Sequence, residues 1–364
     1  MADQQIREIR EPAGRHRRHT FNAFGKESSG KKESSFSEKK SSRRKRISWS
    51  FISEVDFTEI VFVIILMILS GWLLRTLGIL SESSSVHFNR LVINVTMPAL
   101  IFVSMTQNIH AEQLPEYLLL TVLMIIGTGI CMALSWAAGK YILHLSPASL
   151  YAFMLVCSIG NTGFMGYPIC SAYFGAEGLT RAVFCDSSTT VTMITASVLL
   201  GTKLSGEKRS ILREFLKFPI FLTWIGSMIL IVIGFRADML PEVILTCLDM
   251  IASVTTPLIM ISVGLSLSGK HIRDAVIPSI STCFFRLLTA PAIVFALALL
   301  FGITDLSRTV LVLEAGMPCA MAITIFAEIY GMDKKLVSGS TFLTTCLSLA
   351  TIPVAVYLLQ NVIA

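Results

Sequence analysis

Gly160-Asn161-Thr162-Gly163-Phe164-Met165-Gly166-Tyr167-Pro168 stands in the middle of an otherwise apolar, membrane-length segment. Glycine and proline break a helix there, and an asparagine sits at the break. About 156 residues further on, Glu314-Ala315-Gly316-Met317-Pro318 interrupts a second apolar segment in the same way. Unwound backbone at membrane depth exposes N–H and C=O groups that lipid cannot satisfy, so each break must line a cavity or bind something. Paired interruptions at matching places of two halves mark the binding site of a secondary transporter. The pattern points to a protein that carries a solute across a membrane.

Composition agrees. Of 364 residues, 53% are hydrophobic and only 15% charged, with a mean hydropathy of +0.70; soluble domains carry roughly 25% charged residues. Residues 1–55 hold 14 Lys/Arg against 7 Asp/Glu, while the remaining 309 hold 16 against 17. The net charge of +6 therefore belongs to the N-terminal stretch, and no nucleic-acid partner is expected for the body of the chain. The eight cysteines all fall in apolar segments, without CxxC pairs or Cys/His spacing. They read as buried thiols, so no metal site is expected. No P-loop, GxSxG, HExxH or kinase signature occurs, and neither an enzyme nor a cofactor is expected.

Residues 1–55 form a basic tail, rich in Ser, Lys and Arg (Lys39-Lys40-Ser41-Ser42-Arg43-Arg44-Lys45-Arg46), with too little apolar surface to offset its ordering entropy. It is expected to be disordered. From Phe57 onward come ten apolar stretches, at about 57–78, 87–107, 115–139, 149–173, 179–200, 218–235, 241–267, 275–301, 307–330 and 336–361. Each is near the ~20 residues a helix needs to span hydrocarbon. Short connectors carry turn signals, among them Ser268-Gly269-Lys270 and Gly331-Met332-Asp333. Only residues 201–217 form a longer, cytoplasmic connector, dividing a first five-helix repeat (56–200) from a second (218–364). The halves echo each other. Val95-Thr96-Met97-Pro98 returns as Val254-Thr255-Thr256-Pro257 at an offset of 159, and Gly160 to Gly175 matches Gly316 to Gly331 at 156. An odd number of helices per repeat forces the copies into opposite orientations. The fold expected is an all-α polytopic membrane protein of ten transmembrane helices in two inverted five-helix repeats.

With the first helix starting outside, the cytoplasmic connectors hold twelve basic residues: Arg75, Arg90, Lys140, Lys203, Lys208, Arg209, Arg213, Lys217, Lys270, Arg273, Lys334 and Lys335. The opposite connectors hold only Arg181, Arg236 and Arg308. That is a strong positive-inside signal, yet it leaves the basic tail outside. Three resolutions stay open: a start placed too early, a tail translocated despite its charge, or a tail kept inside with one helix miscounted.

Ionisable groups deep in a membrane are candidates for function by default. Here they are Asp186, Asp249, Arg286, Glu314 and Glu328. Arg286 offers either a bidentate partner for a substrate carboxylate or a structural ion pair with Asp186 or Glu314. Asp186, followed by Ser187-Ser188-Thr189-Thr190, suits proton or cation handling, or else hydrogen-bonded packing. Glu314, just before the second break, is a candidate coupling group for a proton or sodium ion. Glu328 lies near the interface and reads as solvated. Asn161 offers an amide donor to an anion where half-helix N-termini add positive dipole ends, or else only caps the broken helix. Gly160, Thr162, Met317 and Pro318 flank these groups. Gly163, Gly166, Pro168, Gly316, Pro98 and Pro257 read as structural breaks.

At these residues the chain resembles the auxin efflux carrier family, which includes plant PIN carriers and bacterial malate or malonate permeases. The resemblance runs over nearly all of residues 57–362. It rests on Asn161 through Ile169, on Arg286-Leu287-Leu288-Thr289-Ala290-Pro291, on Gly316-Met317-Pro318 through Ala327-Glu328-Ile329-Tyr330, and on Asn89-Arg90. It implies an elevator-type carrier whose broken helices 4 and 9 cross, with segments 1, 2, 6 and 7 as scaffold and the others moving. Asn161 would contact a substrate carboxylate, and Pro318 would shape the second crossover. Plant carriers have a proline where Gly160 stands, and the short 201–217 connector is like that of bacterial members. The resemblance thus implies a prokaryotic permease for small organic acid anions in the plasma membrane; a homodimer is compatible with this plan. Two other readings remain: a bile-acid-type sodium symporter, and a membrane sensor that binds a metabolite or lipid without transporting it.

Overall fold

Helix boundaries follow the chain's own punctuation. The computed structural model describes residues 57–81, 83–207, 209–267 and 275–361. The basic tail 1–55, Lys208, the turn Ser268-Gly269-Lys270 and Arg273 lie outside the described residues. Among the described residues, apart from a short 3-10 turn at Ala237–Met239, twelve helices follow in order: α1 Phe57–Thr76, α2 Ser84–Asn108, α3 Ala111–Ile142, α4 Pro147–Ser158, α5 Thr162–Ser205 and α6 Ile211–Phe215. They continue with α7 Pro219–Val232, α8 Glu242–Ser266, α9 Val276–Leu300, α10 Asp305–Ala315, α11 Ile323–Tyr330 and α12 Lys334–Asn361. No strand occurs among the described residues. Helix α4 starts on Pro147 at its first turn, with the Ser146 hydroxyl accepting from the Ser149 N–H. Helix α5 bends at Gly175, whose φ of 62° and ψ of −150° suit glycine alone. It runs to Ser205, past the expected end at 200, and stops where Gly206, φ 76°, takes the left-handed capping conformation.

Proline leaves a regular mark. π-helical turns at Val92–Thr96, Thr162–Gly166 and Phe285–Thr289 each end two residues before a proline, Pro98, Pro168 and Pro291. A proline ring crowds the carbonyl four residues earlier and removes one N–H. Widening the preceding turn re-pairs the displaced carbonyls without ending the helix. Pro257 is accommodated differently: α8 is interrupted by a turn at Val254. The sequence echo between Pro98 and Pro257 thus marks two kinks of different construction.

Packing divides by partner. Helix α1 lies along the second half of α8, and α2 packs on α7 and α8. Helix α3 packs on α4, α5 and α9, while α9 packs on α10 and α12. Gly71 of α1 faces the Ile261 carbonyl, and Gly264 of α8 faces the Ile68 carbonyl, so close that a methyl on either would overlap the partner's backbone. Small residues that let helix backbones approach are a recurrent means of association in lipid. Aromatic contacts tie α5 to two neighbours. Phe184 sits edge-on to Trp224 at 5.8 Å and 5.1 Å from Tyr117.

Six helices among the described residues are long and apolar enough to cross a membrane, and three shorter apolar ones accompany them. Phe62, Leu66, Leu69 and Leu73 of α1 are exposed. In water such a stripe would be a liability; against lipid it is the expected outer surface. The chain is an integral membrane protein.

Gly264→Ala is expected to destabilise the detergent-purified protein by the ~1–3 kcal/mol typical of overpacking, seen as a lower thermal midpoint. Gly129→Ala, where a Cβ meets open space, should leave the midpoint unchanged or raise it. Equal melting of the two variants would show that the α1–α8 contact does not limit stability.

Candidate functional site

Both interruptions come to one place and pair with each other. Helix α4 stops at Ser158, Ile159 is extended (φ −102°, ψ 114°), and α5 starts at Thr162. Helix α10 stops at Ala315, and α11 starts at Ile323. The Asn161 N–H donates to the Pro318 carbonyl at 2.7 Å, and the Ala320 N–H donates to the Ile159 carbonyl at 3.1 Å. Gly160 and Cys319 form an antiparallel bridge between these bonds. The Cys319 N–H donates to Thr344 Oγ1 of α12 at 3.2 Å. Backbone groups freed by unwinding one helix are thus satisfied by the other, as hydrocarbon surroundings require.

Arg286 stands at the helix ends. Its Nη1 donates to Ser158 O at 2.7 Å, Nη2 to Ala315 O at 2.6 Å, and Nε to Met317 O at 2.7 Å. The guanidinium therefore meets the C-terminal carbonyls of both α4 and α10, where a cation is favoured. Gly160 packs against it so closely that a Cβ would overlap the guanidinium. The observed partners of Arg286 are backbone carbonyls, not the carboxylates of Asp186 or Glu314.

Two carboxylates flank the opposite side, at the first turn of α5. Asp186 accepts from Thr162 Oγ1 at 2.6 Å and from the Tyr167 hydroxyl at 2.9 Å, and its oxygens lie against Gly163. Glu314, wholly buried, accepts from Cys170 Sγ at 3.3 Å, and its carboxylate presses on Gly166. Gly163 and Gly166 are three residues apart and neighbours on one helix face, so both acids gather at the positive end of α5. Two buried polar atoms have no hydrogen-bond partner here, Asn161 Nδ2 and Glu314 Oε2.

The candidates fall into two groups. Gly160, Asn161, Thr162, Gly163, Gly166, Asp186, Arg286, Glu314, Gly316, Met317 and Pro318 meet at or beside the crossing. Pro168 sits at the start of α5, where it follows the π turn. Of the hydroxyls after Asp186, those of Ser187, Ser188 and Thr189 donate to carbonyls of their own helix. Asp249 lies on α8, where Oδ1 accepts from Gln107 Nε2 at 3.4 Å. Glu328 is exposed and paired with Lys334 at 2.8 Å. Sequence reasoning passed over Tyr167, Cys170 and Thr344. Tyr167 lies in the motif itself and Cys170 two residues beyond it, and both bear polar atoms on an otherwise apolar helix, which is a usable signal. Thr344 lies 25 residues from the N–H it caps, and nothing local reveals it.

A sequence model described as a membrane transport protein matches residues 56–356. This chain belongs to the auxin efflux carrier family of membrane transporters. Over 308 residues the carrier is 37% identical to an "uncharacterized transporter" of Methanocaldococcus jannaschii, covering 83% of this chain and 99% of that protein. A second, of Methanothermobacter thermautotrophicus, is 32% identical over 297 residues, 81% of this chain and 96% of the relative. The Escherichia coli K12 "uncharacterized transporter" YfdV is 22% identical over 302 residues, 81% and 95% of the two chains. The resemblance carried by Asn161 through Ile169 is borne out.

Thr344→Val should lower the carrier's melting temperature, since it strands a buried N–H at about 1–3 kcal/mol. Thr345→Val, whose hydroxyl bonds only its own helix carbonyl, should be milder. Differential scanning fluorimetry of both in one detergent compares them directly.

Proposed function

We propose that the carrier is a secondary active transporter of small organic acid anions, of the size of malate, malonate or an auxin-like carboxylate, in the plasma membrane. The observation that carries this reading is the crossing itself. Two helix interruptions meet where α5 begins, and the buried Asn161 Nδ2 there has no partner. An anion reaching this point would find an amide donor and the positive end of a helix. The acids alongside, Asp186 and Glu314, would repel it unless a proton or sodium ion arrived with it. That requirement makes both acids the coupling candidates.

The reading extends to architecture. Ten spans in two inverted repeats would equate α1 with α7, α2 with α8, α3 with α9, the α4–α5 break with α10–α11, and the second arm of α5 with α12. Asp186 beside the α5 break and Thr344 beside the α11 break occupy comparable places in this scheme. The close packing of α1 on α8, and of α2 on α7 and α8, supports a scaffold of α1, α2, α7 and α8 against which α5 and the crossing rest. The rest would move against it as an elevator.

The test is uptake of labelled malate, malonate and indole-3-acetate into proteoliposomes, with imposed proton or sodium gradients. One acid is expected to accumulate under one gradient, and Asn161→Ala should reduce its initial rate at least ~10-fold without loss of insertion. Glu314→Gln should retain exchange of internal for external acid yet lose gradient-driven accumulation. Full activity in Asn161→Ala would remove the site assignment. Ligand-dependent thermal stabilisation without any accumulation would replace the carrier of these acids by a sensor.

A further inference from the structure

We infer that Arg286 is a positioning residue that fastens the two helix interruptions into one rigid crossing, and that Gly160 is glycine in order to admit it. The geometry is unusually complete. Each of its three nitrogens donates to a different backbone carbonyl, two from the end of α10 and its following turn, one from the end of α4. The residue is 2% exposed. Ser158 and Ala315 close α4 and α10, and Met317 stands two residues beyond Ala315, so one side chain from α9 spans both breaks.

The alternatives are weaker on chemical grounds. A substrate carboxylate could take the guanidinium only by displacing a carbonyl, which would then be buried without a partner. A lysine keeps the charge, but its ammonium is a point donor on a flexible stem and lacks the planar fork that reaches three carbonyls at once. Removing the side chain leaves three helix-end carbonyls unpaired in a low-dielectric interior. The bridge bonds of Asn161 and Ala320, the Cys319 thiol on the Val156 carbonyl and the Thr344 cap would then be left to hold the crossing. Met317 and Pro318 are tied to the same junction, so the direction in which Asn161 presents its amide depends on Arg286 without contact between them. Its bearing on transport rests on reading the crossing as the substrate site; the measurement below needs no substrate.

Hydrogen–deuterium exchange of the full purified chain in lipid nanodiscs reports the bridge directly. The amides of Asn161 and Ala320 are hydrogen-bonded across the junction, and that of Cys319 to Thr344 of α12 beside it. In Arg286→Met they are expected to exchange at least ~10-fold faster than in the wild type, with α1 and α8 unchanged. Arg286→Lys should fall between the two. Gly160→Ala, which displaces the guanidinium while leaving it present, should accelerate the same amides. Combined with Arg286→Met it should add nothing further, since the group it pushes is gone. Unchanged exchange at the three amides, or equal acceleration throughout α1 and α8, would falsify the assignment. If Arg286→Met does not insert, Gly160→Ala and Arg286→Lys carry the same decision. Protection equal to the wild type in both would equally overturn it.

Discussion

Hydrocarbon offers no hydrogen-bond partner to a peptide group, and this chain unwinds two helices inside its apolar body. Everything at the crossing follows from that constraint. Ile159 and Pro318 accept from the opposite segment, Thr344 supplies an acceptor from α12, and Arg286 collects carbonyls from the ends of α4 and α10. Each break alone would leave several groups unpaired at a few kcal/mol apiece. Brought together, they satisfy each other. The two interruptions are therefore mutually dependent, and neither half would hold its break without the other.

Close approach depends on what glycine lacks. At Gly160 the space of a Cβ is taken by the Arg286 guanidinium, at Gly166 by the Glu314 carboxylate, and at Gly163 by Met97 and Asp186. Gly71 and Gly264 play the same part between α1 and α8, with carbonyl oxygens in place of charged groups. Prolines work alongside them: the π turns before Pro98, Pro168 and Pro291 let long helices bend and continue. The motif around Asn161 thus combines a residue that ends a helix, residues that admit charge, and one that shapes the restart.

The electrostatic layout is polarised across the junction. Cationic Arg286 lies at the carbonyl ends of α4 and α10, and the acids Asp186 and Glu314 lie at the amide end of α5. Each charge faces the helix pole of opposite sign, which favours holding it away from water. Asn161 sits between these regions with its amide nitrogen unpartnered.

How much of this was legible beforehand depends on the range of the interaction concerned. Apolar length, the Gly-Asn-Pro break, its echo at Glu314–Pro318 and the family likeness are local patterns, because helix breaking and lipid burial act residue by residue along the chain. Tyr167 and Cys170 were within reach of the same reasoning, being polar atoms one or two turns along an apolar helix. The partner of Arg286 was not legible: from the sequence, a lone buried arginine could face Asp186, Glu314 or a substrate. The structure gives it three carbonyls, contributed by segments 29 to 128 residues away. The sequence by itself determined that the chain lives in a membrane, that two of its helices are interrupted, and which polar residues lie at those interruptions. Only the tertiary structure decided which of them meet, because an unpaired peptide group in lipid is satisfied by whatever donor or acceptor the fold brings across, irrespective of distance along the chain.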